Sequence, residues 1–371
     1  MTRLIALTLT LMVVMAAVPA IAQTTNPSTN GPTVSITFLP AISLRGADYN
    51  FGSVENVVGQ SVFDPNSGSG VSNLTSSSTI LTIVPTRRPM IIFAVESGEI
   101  KNGLGIEGSG WSYSATGTAG SRIKPYIVST DEGGNSNRDQ SVIVLEGRGA
   151  YPNVGGQYEA NSRWNIRSAD GGVVWYHDVS SKASLKFFAG VAWAQISRDT
   201  AVTESDTSAS SGGGETYSYF DQESGAMAMS AKSQFSGFGP AISFTADVRP
   251  TERMTIHSAL STSFIFGKSQ VVQDFSRMSE TSSVFSEKGV QDVSHRLDNY
   301  ATSIITSSRI VIEKIQLDIS VRFRLGRGLE LGAGFFTALF RGVPQSSGSF
   351  EPPATTTPTL AGATATLTYR W

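Results

Sequence analysis

Apolar residues recur at every second position in several parts of the chain. In 361–371 the odd positions are apolar or aromatic, and the even positions are small, polar or charged. The same period is found in 315–323, in 242–248, in much of 254–266 and in 185–193. A period of two places alternate side chains on opposite faces of a β-strand. The pattern therefore predicts an all-β protein whose strands have one apolar and one polar face.

The lengths of the strands and of their connections distinguish between two kinds of β-protein. Strands of a soluble sandwich usually have about five or six residues, whereas the alternating segments 233–249 and 252–270 are much longer. The connection at 250–251 is short, whereas those at 199–232 and 271–299 are long. The first of the two long connections is rich in Ser and Gly and is predicted to be mobile. We therefore predict a transmembrane antiparallel up-and-down β-barrel with short periplasmic turns and long extracellular loops.

About ten strands are predicted, an even number that places both chain termini on the periplasmic side with the short turns. A hairpin from 122–128 and 141–148 would raise the number to twelve, and Pro40, which interrupts the first strand, leaves eight open. The alternation is interrupted at 171–172 and at 312–314, and we interpret both interruptions as β-bulges. The predicted strands lie near 34–46, 88–97, 101–115, 157–178, 183–198, 233–249, 252–270, 300–324, 327–343 and 359–371.

The first 22 residues have the composition of an export signal. Arg3 precedes an apolar run that continues to Val18, and Ala20 and Ala22 supply the small residues that signal peptidase requires. The run is shorter than the roughly 20 apolar residues that a membrane-spanning helix needs. We predict a cleaved signal peptide over 1–22 and one barrel domain over 23–371, located in the outer membrane of a Gram-negative bacterium.

Composition and charge exclude several classes of function. The chain has no Cys, which excludes disulfide scaffolds, thiolate metal sites and thiol catalysis. A formal charge of −2 and a pI of about 6.0 argue against nucleic-acid binding. Acidic residues lack the spacing of a calcium loop, and the glycine-rich stretches lack the context of a phosphate loop. Neither a metal nor a cofactor is predicted.

Charged residues on the polar strand faces are predicted to point into the lumen, because a charge facing lipid near the membrane midplane costs about 2–4 kcal/mol. Two roles remain open for them. They could pair and close a narrow barrel, or they could form a charged ring that sets the ion selectivity of a channel. The predicted lumen-facing residues are Asp247, Asp318, Arg322, Arg324, Glu330 and Arg370, with Lys186 and Arg163 as less regular members.

Histidines are the candidates for catalysis, because hydrolysis at a barrel rim requires a His activated by a carboxylate. His177 and His257 lie towards the predicted periplasmic turns, whereas His295 lies near Asp292 and Ser294 in an outer loop. Neighbouring Ser, His and Asp arise by chance in a chain so rich in Ser. The sequence therefore predicts that the protein is not an enzyme.

Aromatic residues lie near several strand ends, where their rings would sit at the level of the lipid headgroups. Trp193, Phe264 and Phe266 are examples within the chain. The last strand ends on Tyr369 and Trp371. We predict that these two residues form the C-terminal signal that the barrel assembly machinery recognises.

Three segments resemble a known family. Residues 235–267 begin with Phe235-Ser236-Gly237-Phe238-Gly239-Pro240 and run through a strand, a tight turn and a returning strand. Together with 308–341 and 102–115, they are similar to the Legionella-type major outer-membrane proteins, which are pore-forming barrels. The resemblance implies a pore-forming barrel and transfers no catalytic residue.

The sequence thus favours an outer-membrane barrel for porin-like passive diffusion of small solutes or ions. The alternative is a non-conducting surface or structural barrel whose loops bind a partner. In either case the expected partners are outer-membrane lipid and the barrel assembly machinery, nucleic acid is not expected, and an oligomer is compatible with the sequence.

Overall fold

The computed structural model describes residues 31–45, 49–64, 69–123, 127–130, 136–145, 149–153, 156–213, 217–287, 290–326, 328–345 and 354–371. The predicted signal peptide, 1–22, lies outside these residues. Within the described ranges no helix is long and apolar enough to cross a membrane. The strands are β1 (Thr33–Arg45), β2 (Tyr49–Asp64), β3 (Ser69–Ile83), β4 (Arg88–Glu96), β5 (Leu104–Ile123), β6 (Ile127–Thr130), β7 (Ser136–Leu145), β8 (Gly149–Asn153), β9 (Gly156–Ser180), β10 (Ala183–Gly213), β11 (Tyr217–Thr251), β12 (Met254–Glu287), β13 (Val290–Arg324), β14 (Leu329–Arg341), β15 (Val343–Gln345), β16 (Ala354–Thr356) and β17 (Thr359–Arg370).

Ten of these strands form a closed antiparallel barrel. The order around the ring is β1, β17, β14, β13, β12, β11, β10, β9, β5 and β4, and β4 pairs with β1 to close it. Closure leaves no unpaired strand edge within the membrane, where water cannot satisfy backbone groups. The predicted ten-stranded up-and-down barrel is confirmed, and its strands lie at or near the predicted segments.

The two alternative strand numbers are wrong. The segments 122–128 and 141–148 contribute β6 and β7, which pair with each other and join β2, β3 and β8 in a separate five-stranded sheet. Pro40 does not end the first strand. The pairing of β1 shifts register around Pro40 with both neighbouring strands, so the strand continues past a residue that has no N–H to donate.

The predicted alternation gives the correct facing of the barrel strands. From the periplasmic turns up to Trp193 on β10, Phe238 on β11 and Phe266 on β12, every outward position is uncharged. These positions form the lipid-facing band of the barrel. On β17 the exposed residues Ala363, Ala365, Leu367 and Tyr369 alternate with the buried residues Thr364, Thr366 and Thr368.

Neither predicted bulge is present. β9 pairs in an unbroken register with β10 through Gly171 and Gly172, and β13 does so with β12 through 312–314. The inward positions at these levels include Ile312, which is fully buried, and Lys314, which is 1% exposed. The polarity of the pattern changes here because the lumen itself contains apolar side chains, and the backbone register stays constant.

Strands β10 to β13 continue far beyond the lipid-facing band and form what we call the outer wall, residues 199–213, 217–235, 270–287 and 290–310. Each of the four strands has 31 to 35 residues. A strand of 35 residues is about 115 Å long, compared with an apolar band about 25 Å tall. The prediction of long loops at 199–232 and 271–299 is therefore wrong for most of both segments, because they continue the strands as paired hairpins.

Candidate functional site in the lumen

Four of the predicted lumen residues line one cavity in the periplasmic half of the barrel. The cavity has a volume of about 170 Å³, and Asp247, Asp318, Arg322 and Arg370 contribute to its wall from β11, β13 and β17. Lys186 of β10 lines the same cavity. Since a water molecule occupies about 30 Å³ in the liquid, the space accommodates several waters but no large solute.

The other predicted residues lie elsewhere. Arg324 and Glu330 face each other on β13 and β14 at the periplasmic end, with 3.7 Å between Nη2 of Arg324 and Oε1 of Glu330. Arg163 is exposed on the outer surface, because its neighbour Trp164 takes the inward position on β9. The prediction that Arg163 faces the lumen is wrong. Its charge is tolerated outside because it lies beyond the lipid-facing band.

Sequence reasoning missed three carboxylates of this cavity: Glu96, Glu107 and Asp170. Glu96 is the last residue of β4 and Glu107 lies at the start of β5, where the alternation is too short to define a face. Asp170 was obscured by the supposed bulge at 171–172. The alternation from Trp164 to Tyr176 was the signal that could have identified its inward position.

Two largely buried ion pairs connect strands that are not neighbours. Lys186 Nζ on β10 lies 2.8 and 2.9 Å from the two carboxylate oxygens of Glu96 on β4, and the Tyr176 hydroxyl donates to the same carboxylate. Lys314 Nζ on β13 lies 2.9 and 2.6 Å from the carboxylate oxygens of Asp170 on β9. Three ring steps separate β10 from β4, and four separate β13 from β9. Both pairs therefore bridge the lumen.

The histidines have three different environments. His257 Nδ1 lies 2.7 Å from Asp247 Oδ1, and both side chains are largely buried in the cavity wall. His295 Nε2 lies 2.9 Å from Glu280 Oε1 on the exposed outer wall, and His177 contacts Trp175 at the periplasmic end of β9. Among the described residues no group of three or more His, Asp or Glu side chains could hold a metal. The predicted absence of an enzyme activity stays a prediction.

Above the cavity, one connected cluster of buried apolar side chains fills the lumen; we call it the apolar layer. All ten barrel strands contribute to it, and each member is at most 8% exposed. Trp111 of β5 reaches across the ring to β14, with ring centroids 6.4 Å from Phe336 and 6.0 Å from Phe340. Its large members are Leu39, Ile42, Leu44, Met90, Ile92, Trp111, Tyr113, Trp164, Ile166, Phe188, Ile196, Phe235, Ile265, Ile312, Phe336, Phe340 and Leu360.

The apolar layer and the ion pairs have one combined effect on the lumen. Packed protein interiors leave few voids larger than a water molecule, and a hydrophobic constriction also resists wetting. In this conformation the described side chains close the lumen between the polar cavity and the extracellular side.

The C-terminal aromatic pair lies at the periplasmic rim of the barrel. Tyr369 points outward from β17, and Trp371 follows directly after that strand. Their rings stack with a centroid distance of 5.8 Å, and both remain substantially exposed. The pair is accessible from the membrane and the periplasm, and its role as an assembly signal stays a prediction.

Comparison of the chain with known protein families and with characterised proteins finds no match. Solved structures with a similar arrangement are outer-membrane proteins. The outer-membrane protease OmpT of Escherichia coli is 12% identical, with 94% of this chain and 99% of that chain covered and a TM-score of 0.44. The toluene transporter TodX of Pseudomonas putida is 6% identical, with 93% and 91% covered and a TM-score of 0.27. The outer-membrane channel DcaP of Acinetobacter baumannii is 8% identical, with 93% and 99% covered and a TM-score of 0.12. Likeness at this level concerns the barrel fold and not a function.

Proposed function

We propose that the protein is a closed outer-membrane barrel that acts through its extracellular surface, where the outer wall contacts a partner outside the cell. The observation that carries the proposal is the apolar layer, to which all ten strands contribute. A barrel made for passive diffusion would need a hydrated path at this level. The proposal includes export through the signal peptide 1–22 and recognition of Tyr369 and Trp371 by the assembly machinery.

The surface of the outer wall also supports this proposal. A groove of about 730 Å³ crosses it, and its floor consists largely of small side chains on the outward face. Thr203, Ala228, Ser276 and Ala301 form one row across four paired strands. Nearby, Val293, Leu297 and Ile305 are 57–64% exposed on the same face of β13. These side chains offer apolar area that a partner could bury.

Conductance measurements test the closed lumen. Purified, heat-modifiable protein inserted into a planar bilayer is expected to give no discrete conductance steps. A known porin added to the same bilayer is the positive control. Regular steps from the folded protein would contradict the closed barrel.

Photo-crosslinking tests the surface role. A photoreactive amino acid at Ala228, in the groove, is expected to yield a crosslinked product in intact cells. The same group at Ala333, which faces lipid on β14, serves as the control. If Ala333 gives the same crosslinked product as Ala228, or if neither position gives a product, the groove is not the contact surface.

A second candidate function is porin-like passive diffusion through a lumen that opens when the apolar layer moves. The observation in its favour is the polar cavity with Asp247, Asp318, Arg322 and Arg370 in its wall. Charged rings of this kind set ion selectivity in channels. If conductance is observed, Arg322→Glu and Asp318→Lys are expected to shift the reversal potential in opposite directions. Unchanged selectivity in both variants would exclude this cavity as the selectivity filter.

A further inference from the structure

Basic side chains occupy the outward positions directly beyond the lipid-facing band on several barrel strands. On each strand, counted from the periplasmic end outwards, the basic residue lies two positions beyond the last apolar outward residue. A step of two positions keeps it on the same face. All of these basic side chains are exposed. The sites are Arg167 after Ala169 on β9, Lys268 after Phe266 on β12, Arg309 after Val311 on β13, and Arg341 after Leu339 on β14.

Two of these residues form a close cationic pair. Lys268 and Arg309 lie directly opposite each other in the pairing of β12 with β13. Directly opposite residues have Cβ atoms about 5 Å apart, and like charges in that position repel. Neither side chain makes an ion pair or a hydrogen bond with any described residue, whereas Arg341 pairs with Glu313 at 3.3 Å. An anion from outside the chain that lies between the two side chains would relieve this repulsion.

An apolar surface adjoins this pair on the membrane side. Phe266 and Val311 form the next pair on the same face. Phe264, two residues further towards the periplasm, lies opposite Glu313, whose carboxylate is paired with Arg341 of β14. The three apolar side chains are 48–55% exposed, and Phe238 beside Phe266 is 69% exposed. A ligand that satisfies both parts carries negative charge at its head and hydrocarbon chains below it.

Further out, a second group of basic side chains lies across β9, β10 and β11. Arg163 and Lys232 lie on either side of Asp199 in register, and all three are on the outward face. The single carboxylate between them leaves one positive charge in excess. On β12 itself the outward face carries the exposed carboxylate Asp274 further out, so the basic surface continues only on β9 to β11.

We propose that Lys268 and Arg309 bind the phosphate groups of the phosphorylated glycolipid in the outer leaflet, whose acyl chains pack on Phe264, Phe266 and Val311. The proposal depends on the location of the barrel in the outer membrane and not on whether the lumen conducts. Charge-assisted hydrogen bonds from Lys and Arg suit phosphate oxygens, and Arg can bind them through two N–H groups.

The test measures how tightly folded protein in nanodiscs binds bisphosphorylated lipid A. Removing one basic side chain near a membrane surface weakens attraction by roughly fivefold, so Lys268→Gln with Arg309→Gln is expected to weaken binding about 25-fold. Arg253→Gln, in a periplasmic turn on the other side of the membrane, is the matched control and should bind like the original protein. The single variants Lys268→Gln and Arg309→Gln serve if the double variant does not fold.

Three outcomes would overturn the proposal: unchanged affinity in the Lys268→Gln and Arg309→Gln variants, an equal loss in Arg253→Gln, or equal binding of dephosphorylated lipid A. Inorganic phosphate and phosphatidylglycerol vesicles are tested in parallel. If inorganic phosphate binds as tightly as the glycolipid, the packing of acyl chains contributes nothing and that part of the proposal fails.

Discussion

A buried charge is stable only with its partner, and the pair between Lys314 and Asp170 follows that rule across the lumen. Lys314 Nζ also lies 2.9 Å from Ser168 Oγ, and the side chain is 1% exposed. Removing one member of a buried pair leaves the other charge without compensation and typically costs about 3–5 kcal/mol. Replacing both members with apolar residues costs far less.

We expect Lys314→Met to lower the free energy of unfolding by about 3 kcal/mol, and the addition of Asp170→Leu to recover most of that loss. Urea titration of the barrel in lipid vesicles, followed by tryptophan fluorescence, measures both changes. Arg341→Met is the matched control. Because Arg341 is 60% exposed in its pair with Glu313, the expected loss is below about 1 kcal/mol. Equal losses for Lys314→Met and Arg341→Met would contradict a structural role for the lumen pair.

The facing of single residues could be predicted from the sequence, but their partners could not. Alternation alone identified the inward positions of Asp247, Asp318 and Arg322. The meeting of Lys186 with Glu96, or of Trp111 with Phe336, depends on strand tilt and register around the whole ring. These quantities are not encoded in any one segment. The inward positions of Lys314 and Asp170 were missed for a second reason. Apolar residues that face the lumen interrupt the alternation in the same way as a β-bulge would.

At the scale of elements, the outer part of the β12–β13 hairpin contributes no residue to the core of the barrel. The hairpin of β12 and β13 pairs in one unbroken register from Met254 and Phe323 to Glu287 and Val290. On these two strands the apolar layer extends outward only as far as Ile265 of β12 and Ile312 of β13. The barrel core is therefore complete without the upper part of the hairpin.

We expect the barrel to fold after deletion of 279–298 and reconnection of Met278 to Asn299, which are opposite each other, through an Asn-Gly turn. A two-residue turn of this type matches the twist of a hairpin. Heat-modifiable migration and the urea midpoint should stay close to those of the full chain. Deleting 259–318 removes Ile265 and Ile312 and should abolish folding. Loss of folding in the shorter deletion would show that the outer wall supports the barrel.

At the scale of the whole molecule, ten strands produce a ring narrow enough for side chains to meet in its middle. Barrel diameter grows with strand number, and small barrels are filled by their own side chains. The sequence predicted the strand number that sets this width. It did not predict the apolar layer, because Trp111, Phe336 and Phe340 belong to strands whose inward faces were assumed to be polar.

The apolar layer can be opened by removing the aromatic bridge between β5 and β14. We expect Trp111→Ser with Phe340→Ser to produce conductance steps in a planar bilayer, because the two substitutions remove bulk and let water enter a constriction that excluded it. Each substitution should also lower the free energy of unfolding by several kcal/mol. Heat-modifiable migration must therefore confirm that the variant is folded. Phe340→Ser alone is the milder variant. Trp193→Ser with Phe238→Ser makes the same chemical change on the lipid-facing side. This control variant should give no conductance steps. Conductance steps in this control would show that Trp111 and Phe340 do not close the lumen. The absence of steps from the folded variant that lacks both side chains would show the same.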